Sequence, residues 1–158
     1  MEFKELMMEF AKAARVDRID PDEDGCYRFE IDGMVVTLSE VVQSGDLLMW
    51  AEVGELPPEG RETLYRTLLE ALYMGRATGG SVLSVDPESG MVCLHRGDPL
   101  AAMDFERFKE ALQKFVNVLE FWRRTLADFR PAAKEQAEAA QAEPDVEREI
   151  ALGNFMRV

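Results

Sequence analysis

The sequence contains few of the side chains that most often catalyse reactions or bind metal ions. His95 is the single histidine among 158 residues, and Cys26 and Cys93 are the two cysteines. A zinc site needs three or four ligands, whereas Cys93 and His95, which share one face of a predicted strand, would supply only two. The pattern of a nucleophile elbow is also missing. We therefore predict a protein that is not an enzyme, with no catalytic residue, metal or cofactor, and with reduced thiols.

Basic residues and long apolar runs are also scarce. There are 18 Lys and Arg residues against 31 Asp and Glu residues, which gives a formal net charge of −13 at pH 7. Nucleic-acid binders need a basic surface, and anionic membranes repel an acidic one, so we expect neither as a partner. No run of about 18 apolar residues is present. The N-terminus, MEFKELMMEF, lacks a signal-peptide pattern. The sequence predicts a cytoplasmic protein without membrane insertion.

Two segments match ligand-binding motifs incompletely. The acidic residues from Asp20 to Asp24, followed by Gly25, match the first half of a calcium-binding loop. Position 12 of such a loop should be glutamate, but Ile31 occupies it, and the preceding residues alternate like a strand. The glycine-rich segment 75–81 follows a predicted helix and lacks the Lys-Ser/Thr ending of a phosphate-binding loop. We interpret the first segment as a solvated loop and the second as a helix stop.

A long amphipathic helix over residues 104–129 is the strongest structural prediction. Its large apolar residues recur at spacings of three and four, which places them on one helix face. They are Phe105, Phe108, Leu112, Phe115, Leu119, Trp122, Leu126 and Phe129. Asp104 can cap the first turn, and Pro131 ends the helix because proline cannot continue the hydrogen-bond ladder. The rest of the chain must supply a surface that covers these side chains.

The remaining periodicity predicts an α+β fold. Further helices are expected at 2–15 and 59–75, where apolar residues recur with helical spacing. Alternation and turn residues predict strands at 26–31, 34–38, 47–53, 82–85 and 91–95. Asp32-Gly33 is a strong hairpin signal because both residues tolerate positive φ. The order helix, three strands, helix, two strands, helix predicts a five-stranded antiparallel twisted sheet with three helices.

The composition changes after the long helix and predicts two regions. Residues 1–130 hold the predicted helices and strands and form the α+β domain. Residues 131–158 begin with an Ala/Glu/Gln-rich stretch, which offers no core side chains and is expected to be flexible. A short apolar segment follows, with Val146, Ile150, Leu152, Phe155 and Met156.

This order of elements, with these residues, resembles the class I type III secretion chaperones, the Tir-chaperone (CesT-like) family. The resemblance covers residues 1–129; it includes FKELMMEFAKAA, CYRFEIDG, the block that begins ETLYRTLLEALYMG, and DFERFKEALQKFVNVLEFWRRTL. It implies a cytosolic homodimer that binds an N-proximal segment of a secreted effector or translocator and keeps it competent for export. Two alternatives stay open: a regulatory adaptor or anti-activator of the same fold, and a small-ligand-binding α+β domain.

Surplus apolar residues predict two surfaces for partners. The second helix is apolar nearly all round and, in view of the resemblance, is the expected dimer interface, with Leu64, Tyr65, Leu68, Leu69, Leu72 and Tyr73. The expected client-binding residues come from the first helix and the sheet: Phe3, Met7, Phe10, Val35, Leu48 and Trp50. Trp50 could instead lie in the core under the long helix, and the sequence leaves this point open.

Overall fold

The computed structural model describes residues 2–15 and 19–131. Its helices are α1 (Phe3–Ala13), α2 (Arg61–Leu72) and α3 (Phe105–Ala127). Its strands are β1 (Tyr27–Ile31), β2 (Met34–Val41), β3 (Asp46–Glu55), β4 (Val82–Val85) and β5 (Met91–Pro99). Short 3-10 turns follow α2 at Tyr73–Gly75 and precede α3 at Leu100–Ala102. The order of elements confirms the predicted α+β fold.

The five strands form one antiparallel sheet in the spatial order β1-β2-β3-β5-β4. This order leaves β1 and β4 at the two edges. The β1–β2 turn has positive φ at Asp32 (50°) and Gly33 (74°), as the hairpin prediction required. The pairing of β3 with β5 shifts between Glu52 and Gly54, which marks a β-bulge in the longest strand of the sheet.

The core lies on one face of this sheet. Along β3, Leu47, Met49, Ala51 and Val53 are buried, whereas Leu48 and Trp50 are only half-buried. Successive strand residues point to opposite faces, so the buried set identifies the core face. The same hydrophobic cluster contains the buried side chains of all three helices. The helices therefore pack on the core face, and we call the opposite surface the outer face.

Helix α3 covers the centre of the core face. The Asp104 carboxylate accepts a hydrogen bond from the Arg107 N–H at 2.8 Å and caps the first turn. Phe108, Phe115 and Leu119 of α3 are completely buried, as the spacing predicted. Near the other end, the Trp122 Nε1–H donates to the Ala77 carbonyl at 2.9 Å, which joins α3 to the loop before β4.

Several predicted boundaries were wrong. Strands β2 and β5 continue to Val41 and Pro99 instead of ending at residues 38 and 95, because pairing with β3 satisfies backbone groups regardless of side-chain polarity. The second helix covers Arg61–Leu72 instead of 59–75. Met74 has a φ of 56°, which is incompatible with a right-handed helix, so a short 3-10 turn replaces the last predicted turn.

Candidate functional site

A large groove runs beside α1 at the β1 edge of the sheet. Its volume is about 870 Å³. Apolar and basic side chains line it together: Lys4, Met7, Met8, Ala11, Lys12, Arg15, Ile19, Asp20, Pro21 and Tyr27. Met8 leaves 58% of its surface exposed, although it is a large apolar residue. An open apolar groove of this kind suits a polypeptide segment better than an enclosed small molecule.

Two of the residues predicted to contact a client are buried in the core. Phe3 packs edge-on against Tyr27 with ring centroids 5.5 Å apart, and Met7 is 1% exposed. Phe3 and Met7 therefore present little surface to a client, whereas Met8, which the sequence reasoning did not single out, is exposed in the groove. The apolar stripe of α1 covers the sheet itself, because an isolated two-layer fold needs that face for its core. Met8 lies one residue outside the stripe.

Phe10 joins α1 to the sheet and to α3. Its ring packs edge-on against Phe29 at 4.8 Å and against Phe108 at 5.4 Å between centroids. Phe10 remains partly buried and lines a second, smaller groove between α1 and α3. Next to both grooves, strand β1 is an edge strand, so its outward backbone N–H and C=O groups have no strand partner within the described residues. Such an edge can accept an added strand from another polypeptide.

The outer face contains the other three predicted client-binding residues. Val35 is 55% exposed, and Leu48 and Trp50 are half-buried. A groove of about 440 Å³ lies beside Trp50 and Val35 and is bordered by Arg28, Glu52 and Arg123 together with Gly33. Thr37, the cross-strand neighbour of Trp50, is buried although it lies on this face.

The position of Trp50 answers the question that the sequence left open. Residues Met49 and Ala51, on either side of it, point into the core and are 0% and 1% exposed. Trp50 consequently points to the outer face, away from the buried side chains of α3, and Arg123 of α3 borders the groove beside it. The assignment of Phe10, Val35, Leu48 and Trp50 to client binding remains a prediction.

Helix α2 divides the predicted dimer interface into two sets. Leu64 and Leu68 are buried within the chain, and Leu72 is half-buried, so these residues serve mainly the chain's own core. The assignment of these three residues to the dimer interface remains a prediction. Exposed apolar residues remain on the outer side of α2 and just beyond it: Tyr65, Leu69, Tyr73, Met74 and Val82. The sequence reasoning did not single out Met74, which lies in a kinked turn, or Val82, which begins the edge strand β4.

The polar and ionisable side chains of β4 and β5 contact one another within the sheet. The Arg96 guanidinium forms two hydrogen bonds to the Asp98 carboxylate, at 2.6 and 2.7 Å, and the hydrogen bonds raise the pKa of Arg96. Burial, reinforced by the charges of Glu52 and Asp86, raises the pKa of the Cys93 thiol. A thiol with a raised pKa is a poor nucleophile near neutral pH. The Ser84 hydroxyl lies 3.5 Å from Nδ1 of His95.

The loop that resembles half of a calcium site has a structural role. The Asp22 carboxylate accepts hydrogen bonds from the backbone N–H groups of Asp24 and Cys26, at 3.0 and 2.9 Å. Its second oxygen lies 3.0 Å from the Arg28 guanidinium. These contacts hold the chain in a turn that leads into β1. Within the described ranges, no group of three or more His, Cys, Asp or Glu residues is arranged to hold a metal ion.

The predicted tail lies almost entirely outside the described residues, which end at residue 131. The two-region division therefore remains a prediction. In the part of the chain that the structure describes, no helix is both long enough and apolar enough to cross a bilayer.

Comparison with known proteins gives results that agree with this geometry. Residues 5–123 match the model of the Tir chaperone protein (CesT) family. A Chlamydia pneumoniae protein, CPj0713/CpB0740, is 29% identical over 107 residues, which are 66% of this chain and 79% of that protein. The structure of the ExsC–ExsE complex contains a similar chain, with a TM-score of 0.68 and 26% identity, over 84% of this chain and 99% of the other.

A second solved structure shows the same fold. The Yersinia pestis type III secretion chaperone SycH, in complex with a stable fragment of YscM2, aligns with a TM-score of 0.60 at 20% identity. The alignment covers 77% of this chain and 99% of the other. The family match spans α1 to α3 and includes both edges of the sheet. The chain therefore belongs to the Tir chaperone protein (CesT) family.

Proposed function

We propose that this chain is a cytoplasmic, non-enzymatic chaperone of type III secretion, which binds a segment of a secreted effector or translocator and keeps it competent for export. The observation on which the proposal depends is the open apolar groove along α1 beside the unpaired edge of β1. Family membership supports it, and so does the complex of the similar chaperone SycH with a fragment of another protein.

The geometry suits a client segment in an extended conformation. A strand added to β1 gains backbone hydrogen bonds that do not depend on side-chain identity. Its alternate side chains would point toward the α1 groove on one side and toward the outer face on the other. Methionine side chains such as Met8 adapt to apolar groups of different shapes. Chaperoning by this route needs no catalytic group and no cofactor.

The same reasoning supports a homodimer formed through α2. Its outer patch exposes 68% of Leu69 and 65% of Tyr73, which a monomer would leave in water. An isologous pair brings the same patch of each copy together and covers it without any further protein. Helix α2 packs beside β4, and β1 lies at the opposite edge of the sheet, so this interface would leave the α1 groove and the β1 edge accessible.

Open surface grooves argue against the small-ligand alternative, and family membership favours a client-binding chaperone over a regulator. The test is capture of partners by the tagged full chain in its native host, followed by mass spectrometry. We expect a secreted protein of the type III system, captured by the wild type and by Val42→Glu but not by Met8→Glu. Val42 is a matched control, because it is an exposed apolar residue in the turn after β2. Equal capture by both variants would contradict the assigned site.

A further inference from the structure

The α1 groove has a basic border on an acidic protein. Residues 1–56 contain 14 acidic residues and five basic ones. Three of those five, Lys4, Lys12 and Arg15, line this groove. The helical spacing of four between Lys4, Met8 and Lys12 places the two lysines on either side of the exposed methionine. The groove therefore combines apolar contact with positive charge.

These cations have no partner within the described part of the chain. None of Lys4, Lys12 and Arg15 lies within ion-pair distance of a carboxylate in residues 2–15 or 19–131. Asp20, which also lines the groove, is engaged in a contact of its own. Cations that form no ion pair, next to an apolar floor, favour an occupant that contains carboxylates and apolar side chains together.

Such a segment occurs in the chain itself, beyond residue 131. Residues 143–149 contain four acidic residues and one basic residue. The apolar residues that accompany them are Val146, Ile150, Leu152, Phe155 and Met156. We propose that residues 143–156 occupy the α1 groove when no client is bound, with their carboxylates at Lys4, Lys12 and Arg15. The inference depends on the proposed function in one respect, because it takes this groove to be the client-binding site.

The length of the connecting residues is compatible with this contact. Helix α1 packs beside the first turns of α3, where Phe10 contacts Phe108. From Phe108 to the end of α3 at Ala127 the helix rises about 29 Å, at 1.5 Å per residue. The eleven residues 132–142 can span about 36–40 Å when extended. The linker is therefore longer than this stretch of α3, so its length is compatible with a contact within one chain.

Intramolecular docking would make the segment a competitor of the client. A tethered segment acts at an effective concentration that reaches the millimolar range for short linkers, so weak contacts suffice to fill the groove. If the groove were occupied nine-tenths of the time, the apparent affinity for a client would fall about tenfold. The groove would be covered until a tighter client displaces the segment.

Zero-length carbodiimide cross-linking of the full chain tests the contact directly. This reagent joins a lysine amine to a carboxylate only when the two groups touch. We expect cross-links from Lys4 or Lys12 to the acidic residues of 143–149 at low protein concentration, and their loss in the full chain with Ile150→Asp and Phe155→Asp. Lys114, an exposed lysine of α3, serves as the internal control.

The outcomes are decisive without a client. A mixture of isotopically labelled and unlabelled chains separates contacts within one chain from contacts between chains. Cross-links to Lys114 that are as abundant as those to Lys12, cross-links that persist in the double variant, or none at all would overturn the proposal. Since no partner is needed, a negative result here leaves the proposed chaperone function untouched. Where a client is in hand, the double variant should bind it about tenfold more tightly.

Discussion

Replacement of Leu69 by glutamate should dissociate the dimer without unfolding the chain. Full burial of a leucine side chain contributes about 1.5–3 kcal/mol. Leu69 is 68% exposed in one chain, so two-thirds of this gain remains for a partner. A twofold-symmetric interface contains Leu69 from both chains, so the substitution removes roughly 2–4 kcal/mol of dimerisation free energy. This loss corresponds to a dissociation constant about 30- to 1,000-fold higher. The cost of burying a carboxylate at the interface adds to this value.

The assay is sedimentation equilibrium over a range of concentrations, with melting curves recorded for each variant. Val42→Glu is the matched control, because it places the same charge on an apolar residue that is 80% exposed in another part of the surface. We expect a dimeric wild type and control, and a monomeric Leu69→Glu that melts cooperatively. A wild type that is monomeric at micromolar concentration, or a variant that dimerises as tightly as the control, would refute the reasoning.

Three further predictions concern single side chains. Trp50→Ala should lower the free energy of unfolding by less than the 3–5 kcal/mol typical of a fully buried tryptophan, yet abolish client binding in pull-downs. The hydrogen bond from the Ser89 hydroxyl lowers the pKa of Asp86 in the folded chain. This hydrogen bond therefore stabilises the fold at pH values above the pKa that Asp86 has in the unfolded chain, and the stabilisation is lost as the pH falls through the pKa of the folded chain. Ser89→Ala should therefore lower the melting temperature at pH 7 and have a smaller effect near pH 3. Cys93 should react with iodoacetamide more slowly in the folded chain than in urea, because burial raises its pKa; equal rates would contradict this.

Periodicity was sufficient to predict the elements that form the core. The spacing of Phe108, Phe115 and Leu119 specifies one face of a helix, and the alternation around Met49 specifies one face of a strand. Both patterns correspond directly to the geometry of helices and strands, so tertiary context did not alter them. Asp32-Gly33 likewise specified a turn through local backbone preferences alone.

The site was harder to predict because periodicity does not say what covers an apolar stripe. Met7 and Leu64 were assigned to partner surfaces, but the core of the same chain covers them. Met74 reaches the exposed patch only because its positive φ ends the helix early, and the sequence showed no sign of that kink. Met8 is one residue from the stripe, and its position beside the groove depends on how α1 lies against β1.

The most direct test of the proposed function is the footprint of a captured client on the full chain, measured by hydrogen–deuterium exchange. We predict slower exchange for the backbone amides of β1 (Tyr27–Ile31) and for α1 (Phe3–Ala13), together with a client segment that is extended rather than independently folded. Protection confined to the outer side of α2, with exchange of β1 and α1 unchanged, would contradict the assignment of the α1 groove and the β1 edge as the client-binding site.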